Sequence, residues 1–86
     1  MHTVDLLEDV LALATRLGYS IRQEWLGGQG GGGCVVAGRK CLFVDLAQEP
    51  ADRLDTVVQA LRADPVLGTV ELGPPLSQLL QQRRAA

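Results

Sequence analysis

Gly27-Gly28-Gln29-Gly30-Gly31-Gly32-Gly33 holds six of the ten glycines in this 86-residue chain. What lies on either side of the run decides the fold. Residues 19–26 before it and 34–36 after it both read as β-strand. A glycine loop that cradles phosphate leaves a strand and enters a helix, whose first N–H groups meet the anion. Here no helical pattern and no Gly-Lys-Ser/Thr follows, so the run reads as a connection between strands. As a mobile loop it is costly to order, because each glycine loses the most backbone freedom on folding. Trimming a few of its glycines is expected to leave the fold intact, since closure entropy changes by only about 0.6 kcal/mol per doubling of loop length.

Upstream, Leu6, Leu7, Val10, Leu13, Ala14 and Leu17 recur at helical spacing. Thr3 or Asp5 is placed to cap that helix, Glu8 follows Asp5 as in a capping box, and Gly18 supplies a left-handed stop. From Tyr19 the period becomes two. Tyr19, Ile21 and Trp25 are expected on a buried face, with Ser20, Arg22 and Glu24 on a solvated one. Downstream, apolar runs flank Ala37-Gly38-Arg39, a hairpin signal with Gly38 at the first position of a type II′ turn. That turn sets Cys41 against Val36 and Phe43 against Cys34. Moving it back to Ala37-Gly38 sets the two cysteines opposite each other. Residues 40–46 carry apolar side chains on both faces, as a central strand does.

Glu49-Pro50-Ala51-Asp52 opens a second helix, striped by Leu54, Val57, Val58 and Leu61 and ended at Asp64-Pro65. Thr69-Val70-Glu71-Leu72 reads as a fourth strand. Gly73-Pro74-Pro75 opens a last helix with Leu76, Leu79 and Leu80, closed by Arg83 and Arg84. The expected fold is a single α+β domain over residues 1–86 in the order α-β-β-β-α-β-α. Its four-stranded mixed sheet runs one-two-three-four, with the first two helices on one face.

Composition excludes several function classes. The net charge is −2 with dispersed signs, so the clustered basic face of a nucleic-acid binder is missing. No apolar stretch approaches the roughly 20 residues that span a bilayer, and the first residues lack a signal peptide's pattern. The chain therefore reads as cytoplasmic, with no membrane or nucleic-acid partner. His2 is the only histidine, near the chain start and away from any nucleophile, which leaves Ser-His or Cys-His catalysis without a base. Cys34 and Cys41, with six residues between them and no histidine beside them, do not form a zinc site. They read as reduced, buried small hydrophobes, the alternative being a redox-sensitive pair. Glu49 and Asp52 suit a helix N-terminus, and Asp55 a solvated face.

The layout of residues 6–61 resembles the N-terminal half of ImmA/IrrE-type metallopeptidase-like regulators. The shared features are a helix ending in Leu17-Gly18-Tyr19, the Arg-x-Glu of Arg22 and Glu24, a glycine-rich turn, Leu42-Phe43-Val44-Asp45, and a helix opened by Pro50. That family carries His-Glu-x-x-His on the corresponding helix. Here residues 54–62 contain no histidine, so the resemblance implies a non-catalytic relative and carries over no catalytic or metal-binding residue. Small bacterial proteins with a glycine-rich segment before a Leu-Phe-Val-Asp strand are similar as well, and imply no activity.

The leading expectation is thus a small non-enzymatic interaction or regulatory protein, without cofactor, whose partner is another protein or a second copy of itself. The alternative is a small-molecule-binding or enzymatic domain, with the loop 27–33 as a lid near Asp45. Asp45 ends the central strand, a common address for binding groups. Cys41, Glu49, Gly30 and Gly31 complete the candidate ligand or partner site.

Overall fold

A computed structural model describes residues 2–81 of the chain. The elements follow in the order α1 (Thr3–Arg16), β1 (Ser20–Glu24), β2 (Gly32–Val36), β3 (Arg39–Asp45), α2 (Pro50–Arg62), a 3-10 turn (Pro65–Thr69) and α3 (Leu76–Gln81). The expected closure of the last helix by Arg83 and Arg84 lies outside the described residues. The fold is α+β, as its segment pattern implies, with three helices and a mixed sheet.

The helices form where the periodicity places them. Leu7, Val10, Leu13 and Ala14 of α1 and Val57, Val58 and Leu61 of α2 are buried together with Leu42 and Val44 of β3, Leu67 and Leu80. Full burial of a Leu or Val side chain contributes about 1.5–3 kcal/mol. The expected side-chain caps are not made. His2 precedes α1 and Glu49 precedes α2, and neither side chain bonds the helix it opens.

The sheet differs from the expected four strands in order one-two-three-four. It has three strands in the order β1-β3-β2. β1 pairs parallel with β3, from Ser20 beside Cys41 to Glu24 beside Asp45, and β2 pairs antiparallel with β3 on its other side. β1 and β2 are therefore the two arms of a hairpin split by β3. Of the residues expected to form a fourth strand, Thr69 ends the 3-10 turn, and Val70, Glu71 and Leu72 belong to no strand. Asp64 accepts the Val66 N–H, Thr69 Oγ1 donates to the Val66 carbonyl, and the backbone is extended at Val70 without a strand partner. Val70 and Leu72 spend their apolar surface on the helix core.

The β2–β3 turn also shifts. Ala37 and Gly38 hold its two central positions with φ of 52° and 78°, a type I′ turn in place of type II′ with Gly38 first. Cys34 consequently faces Cys41, Gly32 faces Phe43 and Val36 faces Arg39. The glycine run explains the register. A Cβ on Gly31 would collide with the Phe43 carbonyl, so this backbone passes against β3 at one fixed level. The run is no loose loop. Gly27, Gly28 and Gly30 take positive φ in a compact turn, while Gly32 and Gly33 belong to β2.

The described helices all lie on one side of the sheet. Ile21, Leu42 and Val44 face α1 and α2, and α3 packs on α1 and α2 rather than on the sheet. Phe43, Cys41, Cys34 and Val36 occupy the opposite face and take no part in the core. Trp25 is 75 % exposed, not buried as alternation implies, because the strand ends at Glu24. Gly31→Ala is expected to cost at least about 3 kcal/mol in chemical denaturation, the range of a strained or overpacked site, whereas Gly73→Ala, where an added Cβ meets nothing, stays within about 0.5 kcal/mol.

Candidate functional site

The connection from β1 to β2 must pass over the C-terminal end of β3, and that is where Asp45 stands. Its side chain is 1 % exposed. Oδ1 accepts the N–H of Leu26 at 3.0 Å and of Ala47 at 2.9 Å, and Oδ2 accepts the N–H of Gly30 at 2.9 Å. One carboxylate therefore ties together the start of the crossing, its middle and the turn that leaves β3. Burial works to raise the Asp45 pKa, but the N–H groups of Gly30, Ala47, Leu26 and Gly28 outweigh it and hold the carboxyl below its ordinary value. On the far side, Arg53 donates to the carbonyls of Gln48 and Leu46 and fixes the approach to α2.

The residues of the expected site are only partly brought together. Asp45, Gly30 and Gly31 meet at this crossing, where the carboxylate is turned onto backbone rather than toward a ligand. Glu49 is exposed at the start of α2. Cys41 lies on the uncovered sheet face, half-buried, with its thiol near the Arg39 carbonyl at 3.8 Å. Cys34 opposite it is exposed, which corrects the expectation of two buried thiols. Among the described residues, no group of three or more His, Cys, Asp or Glu is placed to hold a metal ion.

A second constellation escaped the sequence reading. At the other end of the sheet, Asp64 Oδ2 accepts the Tyr19 hydroxyl at 2.7 Å and the Lys40 ammonium at 2.8 Å. The ammonium also stands 4.5 Å from the centre of the Tyr19 ring, a cation–π contact. In the sequence Tyr19 reads as one residue of a strand face and Asp64 as a helix stop. Lys40, the chain's single lysine, was the available signal. Burial, the hydrogen bond to Asp64 and the negative charge of Asp64 push the Tyr19 phenol up to about 12. Burial alone would raise the Asp64 carboxyl, but Lys40, Tyr19 and the Val66 N–H draw it below its ordinary value. The cluster floors an open cleft of about 360 Å³ walled by Gly33 and Val35 of β2 and by Ala60, Ala63 and Pro65.

No protein-family model, curated protein or solved structure matches this chain. Among the described residues, no helix is long and apolar enough to cross a membrane. The site must be read from its own geometry.

Two outcomes follow from the two carboxylates. A folded pKa held below the unfolded one adds stability that is complete above about pH 4–5 and is lost as pH falls through the folded value. Asp45→Asn, which places an amide NH₂ among backbone N–H groups, is expected to lower Tm by roughly 10 °C or more and to flatten the acid limb of the stability profile. Tyr19 obeys the opposite sign. Its stabilisation is complete below the unfolded value near 10 and is lost as pH rises through about 12. Because it is the only tyrosine, absorbance at the phenolate band reads it directly, and Asp64→Asn is expected to bring its midpoint back toward 10.

Proposed function

We propose that this chain is a small non-catalytic interaction or regulatory protein that binds another protein through the uncovered face of its sheet. One observation carries the reading. Every described helix packs on the same side, and the other side presents Phe43, Cys41, Cys34 and Val36 outside the core, while Trp25 is exposed just beyond the end of β1. Apolar surface gathered on one face in this way marks a contact site, and an exposed tryptophan is a frequent energetic anchor of such contacts. The polar rim is present too. Arg22 and Glu24 pair at 2.8 Å along β1 on that same face, an exposed pair of small energetic weight that can help orient a partner.

The second reading, a small-molecule or enzymatic domain, is favoured by the cleft above Tyr19, Lys40 and Asp64. It moves the site away from Asp45, since a lid at residues 27–33 would have to break the carboxylate's own bonds to open. Capture from extract of the source cells separates the two. The wild-type chain is expected to retain a discrete protein partner, and Trp25→Ala/Phe43→Thr to weaken it at least tenfold while leaving the far-UV spectrum unchanged. No retained protein, together with a small molecule whose thermal shift is abolished by Lys40→Ala, would reverse the ranking.

A further inference from the structure

β2 is an edge strand with little to guard it. Gly32-Gly33-Cys34-Val35-Val36 has no charge, no proline and no bulge. The opposite edge differs. β1 reads Ser20-Ile21-Arg22-Gln23-Glu24, with an ion pair along it. Charged side chains guard one edge of this sheet and not the other.

The hydrogen-bonding groups of β2 divide by alternation. Val36 and Arg39 close the two-residue turn, and a closing pair of that kind exchanges both of its N–H···O bonds. Val36, Cys34 and Gly32 therefore direct their N–H and C=O groups toward β3, and Val35 and Gly33 direct theirs away from the sheet. Val35 is 68 % exposed and Val36 is also exposed.

Volume along the strand is self-complementary. Glycines fill its first two positions and valines its last two, with Cys34 between them. An antiparallel copy in the register that overlaps all five residues sets Gly33 opposite Val35, Gly32 opposite Val36 and Cys34 opposite itself. In that register the outward groups of Gly33 meet those of Val35, so the ladder uses each of them. The Val35 side chain then lies over the glycine that walls the cleft, against Ala60 and Ala63. No charge is carried into the strand pair from either copy.

We propose that the partner is a second copy of this chain, joined by antiparallel β2–β2 pairing about a two-fold axis at Cys34 to give a continuous six-stranded sheet. This rests on the interaction reading above and names an occupant for the edge rather than for the face. A five-residue strand pair with its flanking helix surface falls at the small end of specific interfaces, so the dimer forms with dissociation on the order of tens of micromolar.

Sedimentation from about 1 µM to about 1 mM tests it. The wild-type chain passes from monomer to dimer across that range. Val35→Glu, whose new carboxylate has Lys40 as its neighbour on β3 within the monomer but meets apolar surface in the pair, stays monomeric with an unchanged Tm in dilute solution. Val35→Pro removes an N–H that points outward rather than to β3, and it too abolishes the pair. Register is read by mild copper–phenanthroline oxidation. Cys41→Ala, with Cys34 as its sole thiol, forms a disulfide-linked dimer. The triple variant Cys34→Ala/Cys41→Ala/Val36→Cys, with its thiol two residues from the axis, links at least tenfold less. A monomer at 1 mM, a dimer indifferent to Val35→Glu, or equal cross-linking from positions 34 and 36 would each overturn the proposal. Trp25→Ala/Phe43→Thr leaves the edge dimer intact. Loss of self-association with that pair, but not with Val35→Glu, assigns the contact to the sheet face. A monomer whose captured partner is still lost with that pair leaves the interaction reading standing without the dimer.

Discussion

The carboxylate of Asp45 is the constraint on which the rest of this molecule turns. A buried negative charge is tolerated only when hydrogen bonds replace the water it has lost. Here the replacements are backbone N–H groups from a segment that would otherwise have little reason to stay in place. The glycines make that arrangement sterically available. Positive φ at Gly27, Gly28 and Gly30 curls the chain around the carboxylate, and the bare Cα of Gly31 lets it pass against the Phe43 carbonyl. Charge and missing side chains thus act together, and neither alone would place β2 on the far side of β3.

From that crossing the sheet order follows, and from the order the distribution of surface. With β3 in the middle, its alternating residues divide cleanly between a helix-covered face and an uncovered one. The three helices spend their apolar stripes on each other and on the covered face. Arg62 reaches from α2 to the Leu79 carbonyl at 2.8 Å and holds α3 on the helical layer. At the opposite end of the sheet, Asp64 gathers Tyr19 and Lys40, so each end of the molecule is closed by an aspartate. The two differ in partner. Asp45 is held by backbone, and Asp64 by side chains that come from distant parts of the chain.

The helices were legible because their information is local. The spacing of Leu7, Val10 and Leu13, or of Val57, Val58 and Leu61, is complete within a few turns. The hairpin was legible in place but not in register, because Ala37-Gly38 and Gly38-Arg39 both offer plausible turns and the choice is made by Gly31 and Gly30 some seven residues away. Strand order was not legible. Alternation in residues 20–24 says which side chains share a face and nothing about which neighbour they pair with. Trp25 continued the alternation on paper, whereas the backbone had already turned toward Asp45. Asp45 was singled out as a candidate binding group. Its position at the end of β3 was the right signal, and what it binds is the protein's own loop.

The split hairpin also sets an order of events during synthesis. β1 and β2 leave the ribosome before β3, yet neither touches the other in the finished sheet, and both must wait for the strand that separates them. No sheet can be completed until Asp45 has emerged, and the same residue then supplies the clasp that closes the crossing. Until that moment the two outer strands are an unpaired, partly apolar stretch interrupted by glycines, and glycines resist premature pairing. The segment whose flexibility looked like an absence of structure keeps the first half of the chain open until its central strand arrives.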